Sequence, residues 1–274
     1  MISRWNTPRT DINFIFLQVL ALVKRLLSRE KRGRGRPPKH DEAFYITLVI
    51  LKELERKSLR GAELSLSKLL CNERVDHSVI AYWENKLSTE KRLVFLVRIL
   101  GRLLETRLNV LFTFVDSTKF STWHIDEIET TVCNRIAEGT VYPIGISFSR
   151  ENVASPVIEV VPQGSGIVYA DAWYDDNTTI GVLYEKGYTP IICPNKNRRK
   201  GFYRRKARKL YRMREHRLGY RQRGRGESVF GSLTNQFGDR LHTRLVQTTR
   251  TRIAAGVIAY QLRLIIRVNN LLFS

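Results

Sequence analysis

The sequence predicts an α/β protein with a small all-helical segment in front of the sheet-forming part. Three observations carry this. Residues 41–90 show helical periodicity only. From Asn109 onward, short apolar runs rich in β-branched and aromatic residues alternate with helical patterns. Hydrophobic content of 43% over 274 residues is enough for one good core and a smaller second one.

The elements follow in order. Ile12–Leu27 reads as an amphipathic helix, interrupted by Asn13, Gln18, Lys24 and Arg25. It is too short and too polar to span a bilayer, and KRLLSREKRGRGR follows it where a signal peptide would need small residues. The chain is therefore expected to stay where the DNA is. Residues 31–40 form a basic linker, with Pro37 and Pro38 opposing helix. In 41–90, Asp41 is a candidate cap for a first helix, Ser58–Leu70 gives a second, and Ser78–Leu87 a third with Ser78 as cap. Tyr82, Trp83, Asn85 and Lys86 are expected on its exposed face, as in a major-groove reader; a plain three-helix bundle is the alternative. A basic amphipathic helix spans 90–107. Strands are expected at Asn109–Val115, Tyr142–Phe148, Ala154–Val161, Gly166–Ala170 and Thr189–Cys193. Helices are expected at Thr178–Lys186, at Glu227–Phe237 with Gly238 as stop, and at Arg252–Leu272. The resulting division is 1–30 (amphipathic helix), 31–40 (basic arm), 41–90 (helical domain) and 91–274 (α/β domain).

Charge points to the partner. Lys and Arg number 47 against 26 Asp and Glu, a formal charge of +21. Such a surplus destabilises a compact state by self-repulsion and suits a polyanionic partner, nucleic acid first and an anionic membrane surface second. Residues 196–225 hold 15 Lys or Arg and one acid, Glu215, with Phe202, Tyr203, Tyr211 and Tyr220 among them. Arginines interleaved with aromatics suit backbone contact and base stacking, so Arg204, Arg205, Tyr220, Arg223 and Arg225 are candidate DNA contacts. KRGRGRPPK at 31–39 resembles an AT-hook, whose Arg34 and Arg36 would enter an A·T minor groove. Cys71, Cys133 and Cys193 show no metal-ligand spacing and read as buried small hydrophobes.

The chemistry rests on carboxylates. Cutting a phosphodiester requires neutralising the attacking and leaving oxygens, which two divalent ions about 4 Å apart can do. Magnesium takes oxygen ligands from a few carboxylates on rigid elements. Asp116 follows the apolar run FTFV, Asp171 follows IVYA, and Glu227 opens a helix within the basic stretch, at separations of 55 and 56 residues. Two of the three thus stand past strand carboxyl ends, where open α/β sheets hold their sites.

These residues resemble the DDE transposases of bacterial and archaeal insertion sequences, the broad group of insertion sequence families four and five. Tyr220, Arg223 and Glu227 match that group's signature of Tyr, two residues, Arg, three residues, Glu. Asp171, Tyr174 and Asp175 match its D-x-x-Y-D element, and DST follows the first acid. The Lys expected seven residues after Glu227 is Thr234 here. The resemblance covers roughly 35–270. It implies an RNase H-like mixed-sheet catalytic core preceded by a helix-turn-helix DNA-binding domain. It implies catalytic and metal-holding roles for Asp116, Asp171 and Glu227, with two Mg²⁺ or Mn²⁺ ions. It also implies strand cleavage at the element's ends and strand transfer into target DNA, by a homodimer or larger synaptic assembly in a prokaryotic cytoplasm or nucleoid. The alternatives are a catalytically inactive transposase-derived DNA-binding protein or regulator, and a nuclease that cuts without joining.

Overall fold

A computed structural model describes residues 12–26, 38–89, 92–122, 127–149, 152–197, 200–237 and 240–272. Arg34, Arg36 and Gly238 lie outside the described residues. Two compact units emerge, one drawn from 1–96 with 250–274, the other from 97–249. The sequence reading ran the second domain to residue 274; by compactness, the segment from Arg250 groups with the N-terminal helices instead.

The first unit is helical. It holds α1 (Ile12–Leu26), α2 (Glu42–Leu54), α3 (Leu59–Gly61), a π-helical turn (Ala62–Leu66), α4 (Ser67–Cys71) and α5 (His77–Thr89). The Asp41 carboxylate accepts from the Phe44 N–H at 2.8 Å, capping α2 as its side-chain chemistry predicts. The cap of α5 is Asp76 rather than Ser78: its Oδ1 accepts from the Ser78 N–H at 2.8 Å. The chain carries the better acceptor one residue before the helix, and the serine falls inside. Trp83 corrects a further expectation. It is 4% exposed and stacks on Tyr45 with centroids 4.7 Å apart, so it is a core side chain and not a DNA contact. Glu84, fully buried beside it, pairs with Lys52 at 2.9 Å and Arg252 at 3.4 Å. Such a buried charge network is tolerated because every member is paired.

The second unit is built on a mixed sheet. α6 (Arg92–Glu105), whose residues from Val97 onward belong to this unit, leads into β1 (Val110–Thr122), β2 (Ile128–Ala137) and β3 (Thr140–Ser147). Then come α7 (Ala154–Val160), β4 (Gly166–Ala170), a 3₁₀ turn (Ala172–Tyr174), α8 (Asn177–Glu185) and β5 (Tyr188–Ile192). The unit continues through α9 (Phe202–Arg212), α10 (Arg214–Tyr220), a 3₁₀ turn (Arg221–Arg225), α11 (Glu227–Phe237) and β6 (Arg240–Leu241). The closing helix α12 (Val246–Leu272) straddles the division. Strand order is β3-β2-β1-β4-β5, with β6 beside the far end of β1. β1, β2 and β3 pair antiparallel, whereas β4 and β5 run parallel to β1. The parallel part requires crossovers, and the helices α7 and α8 supply them.

Two elements differ from expectation. The expected strand at Ala154–Val161 is instead helical over Ala154–Val160: Ala154, Val157 and Val160 are buried at helical spacing and Ile158 is exposed. Its Pro156 sits in the first turn, where a missing N–H costs nothing. β2 went unread. It is buried along almost its whole length, so it shows no polar–apolar alternation, and its buried Thr130, Thr131, Asn134 and Arg135 resemble a loop. Arg135 is satisfied there by Glu105 at 2.7 Å and the Tyr188 hydroxyl at 3.0 Å. No helix among the described residues is long and apolar enough to cross a membrane.

Candidate active site

Strand register sets the first two acids side by side. Val115 of β1 is the partner of Ala170 of β4, and this is the last pair of that parallel ladder. The next residue on each strand is an aspartate, Asp116 and Asp171. β1 itself continues past Asp116, paired only to β2, whereas β4 ends. Neighbouring strands lie about 4.8 Å apart, so two carboxylates meet at one sheet edge without any long-range coincidence. Asp171 then caps the 3₁₀ turn through the Ala172 N–H at 2.6 Å. The Asp116 carboxylate accepts from the Ser117 N–H at 3.0 Å.

The third acid arrives from the basic stretch. The run from Gly219 to Glu227 lies flat against the sheet, and two glycines permit it. A Cβ at Gly226 would overlap the Phe114 ring of β1, and one at Gly219 would overlap the Tyr169 hydroxyl of β4. Tyr220 packs edge-on to Tyr169 and Tyr211, with centroids 6.1 and 5.3 Å away. Arg223 then points at the acids. Its Nη1 lies 3.4 Å from Asp116 Oδ2 and 3.7 Å from Asp171 Oδ2, and its Nη2 lies 3.7 Å from Glu227 Oε1. All three sequence-predicted acids therefore converge on one guanidinium.

The electrostatics are unbalanced, with three carboxylates around one cation. Asp116 is the least exposed of them, and burial pushes its carboxyl above the usual range. Arg223 pulls it back, while Asp171 and Glu227 add to the rise. Arg223 is held charged in turn: burial opposes its charge, but Asp116 and the other acids outweigh that. Hard carboxylate oxygens facing one another suit a divalent cation of the magnesium or manganese kind. The trio is open rather than a closed cage. Among the described residues, the one set of His, Cys, Asp and Glu with ligand atoms all within 4.8 Å is Glu63, Asp76 and His77 in the helical unit. That set is occupied by its own bonds: Glu63 pairs with Arg74 and accepts from His77 Nδ1 at 2.8 Å.

Around the trio, Tyr174 is buried and its hydroxyl meets Ser117 Oγ at 2.5 Å, which in turn meets Thr131 Oγ1 at 2.8 Å. Asp175 receives a two-pronged grip from Arg204, at 3.0 and 2.8 Å, and the Asn195 N–H at 2.8 Å. Burial would raise the Asp175 carboxyl, but these hydrogen bonds prevail and lower it. Arg204 is thus 5% exposed and committed to Asp175; it is a strut, not a DNA contact. Arg205 and Arg225 are exposed, as is Tyr82 in the helical unit, where Lys86 lies over the Trp83 ring at 4.4 Å. Thr234 bonds back to the Phe230 and Gly231 carbonyls of its own helix. Sequence reasoning missed a cavity of about 730 Å³ beside Asp116, lined by Ser117, Glu129, Thr131, Asn152, Trp173 and Tyr174 among others. The signal was present in Trp173, a large aromatic three residues past the end of β4.

Comparison with known proteins returns no match among curated proteins. Residues 150–262 match the family model described as a transposase DDE domain. That span contains Asp171, Arg223 and Glu227; Asp116 precedes it. Domains of this kind act on DNA and generally use divalent metal ions. Over this segment the chain is similar to the DDE-type transposases.

Proposed function

We propose that the chain is an active, metal-dependent transposase that cuts DNA at the ends of an insertion sequence and joins the freed ends to target DNA. The observation that carries this is the meeting of Asp116, Asp171 and Glu227 around Arg223. The sheet order β3-β2-β1-β4-β5, with three antiparallel and two parallel strands, supports an RNase H-like core. Asp116, Asp171 and Glu227 would hold two Mg²⁺ or Mn²⁺ ions. Bound there, the ions supply Lewis acidity at the attacking and leaving oxygens. The chain's own groups do the rest. Arg223 offers a guanidinium to the non-bridging phosphate oxygens. Tyr220 braces that arginine, whose guanidinium carbon lies 5.9 Å from its ring.

In the first step a water oxygen bonds to phosphorus and releases a proton to solvent, the bond to the 3′ oxygen breaks, and that oxygen takes up a proton to leave as a 3′ hydroxyl. In the second, that 3′ hydroxyl attacks a phosphodiester of the target and expels a new 3′ oxygen. The helices α2, 59–71 and α5 serve as a helix-turn-helix reader of the terminal repeat, with Tyr82 and Lys86 facing DNA. Arg34 and Arg36 extend the contact into the minor groove, and Arg225 adds phosphate contact. The working form is a homodimer or larger assembly in a prokaryotic cell, holding both ends.

The test is incubation of the full chain with DNA bearing the element's terminal repeats and Mg²⁺ or Mn²⁺. Metal-dependent nicking and strand-transfer products are expected; nicks without joined products would indicate a nuclease. A second reading, an inactive transposase-derived binder, is favoured by Thr234, which turns its hydroxyl to its own helix where the signature carries a lysine. Absence of cutting with either metal would establish that reading.

A further inference from the structure

Thirty residues of positive charge could simply be a solvated face, but α9 sorts its cations by side. Residues 204, 207, 208 and 211 form the inward stripe. Arg204 and Arg208 are spent there, Arg204 on Asp175 and Arg208 on the Asn195 carbonyl at 2.9 Å. Residues 202, 205, 206, 209 and 212 form the outward stripe: Phe202, Arg205, Lys206, Lys209 and Arg212, all exposed. Lys206 lies over the Tyr184 ring at 4.2 Å. No carboxylate among the described residues pairs with Arg205, Lys209 or Arg212. α10 prolongs the surface with exposed Arg214 and Arg217, then feeds the turn that delivers Arg223 and Glu227.

We propose that the outward stripe of α9 is a track for the sugar–phosphate backbone of duplex DNA running away from the carboxylate trio. This rests on the reading that the trio acts on DNA, and it assigns the flanking duplex a surface of its own. Three features favour a DNA backbone. Arg205 to Arg212 rises about 10 Å along the helix, matching about three nucleotides of a strand at roughly 3.4 Å each. The stripe holds one apolar residue, Phe202, at its N-terminal end, whereas a membrane-surface helix needs a full apolar face beside its cations. The inward stripe anchors the helix to Asp175, four residues after Asp171, so phosphates on the outer side are held in register with the site.

The experiment measures binding of the full chain to a random-sequence duplex over a series of salt concentrations, with Arg205→Gln/Lys209→Gln/Arg212→Gln against the parent. Each phosphate contact contributes a slope of about 0.9 in log affinity against log salt, so the triple variant should flatten it by about 2 to 3. Arg205→Gln alone should flatten it by about 0.9, which guards against a misfolded triple variant. An unchanged slope in both variants overturns the track. So does loss of binding to anionic phospholipid vesicles with DNA binding intact, which would make the stripe a membrane surface. Asp116→Asn tests the underlying reading separately. If it still cuts while the triple variant flattens the slope, the enzyme falls and the track stands.

Discussion

Two arginines in the α/β unit meet aspartates in opposite ways. Arg204 grips Asp175 with both prongs at 2.8–3.0 Å, and both side chains are buried. Arg223 stands 3.4–3.7 Å from three carboxylates and satisfies none of them fully. The first pair closes a charge account and leaves nothing for a ligand to do. The second leaves excess negative charge at a sheet edge, with one acid largely exposed and one half-buried. Buried charge is tolerated when paired, and an unbalanced cluster marks a place where something else supplies the balance. The closed pair is scaffold for the open one: it fixes the loop that begins at Asp171.

The largest effect should fall on the open cluster. Asp116→Asn, Asp171→Asn and Glu227→Gln should each cut metal-dependent DNA cleavage by more than about 100-fold, beyond the range seen for outer-shell partners. DNA affinity should stay near that of the parent, because the cationic surfaces are untouched. Cleavage assays with parallel binding measurements check this, and substantial cutting by any of the three would break the contrast between cluster and strut.

The strut should respond in stability instead. Removing one partner of a buried pair costs about 3–5 kcal/mol, so Arg204→Ala should unfold the chain at markedly lower temperature or denaturant concentration. Acid should act on the same pair. Asp175 has a lowered pKa when folded, so its stabilisation is full above the ordinary aspartate value of about 3.9 and is lost as pH falls through the folded value. Denaturant midpoints measured downward from pH 5 should fall in the parent and fall less in Asp175→Asn.

The same contrast explains what could be read from the sequence. Asp116 and Asp171 were legible because each follows an uninterrupted apolar run, and Glu227 because its neighbours Tyr220 and Arg223 carry a spacing. β4 and β5 were legible for the same reason as the aspartates. The closed pair was not: nothing local to Arg204 tells it apart from Arg205, since the choice depends on which side of α9 faces Asp175. β2 was hidden because burial along almost its whole length removes the polar–apolar alternation, and its Arg135 finds its partners, Glu105 and Tyr188, in distant elements. Trp83 was misread because Tyr45, the ring it stacks on, lies in another helix.

A smaller effect is expected at Gly226. Its backbone is ordinary helix, φ −68°, so alanine is allowed there conformationally. The obstacle is the Phe114 ring, itself fully buried, which the new methyl would overlap. Overpacking of this kind costs about 1–3 kcal/mol. Gly226→Ala should therefore lower the unfolding midpoint modestly and cleavage more strongly, because the strain lifts Glu227 off the sheet edge. Equal losses in both would mean that Glu227 does not depend on this close approach.

The smallest change should appear as a displaced pH profile. Metal binding needs Asp116 deprotonated, and burial has raised its pKa above the usual aspartate range. Cleavage should therefore rise with pH through an acid limb lying higher than an ordinary carboxylate would give. Arg223 works against that rise, so Arg223→Gln should move the limb to still higher pH, besides any loss in rate. Cleavage rates from pH 5 to 8 at limiting metal, where protons compete with the cation for Asp116, separate the two effects, since a lost phosphate contact lowers the plateau without moving the limb. A limb that stays in place would mean that Arg223 serves the phosphate and not the acids, and the open cluster would then be balanced by something other than this guanidinium.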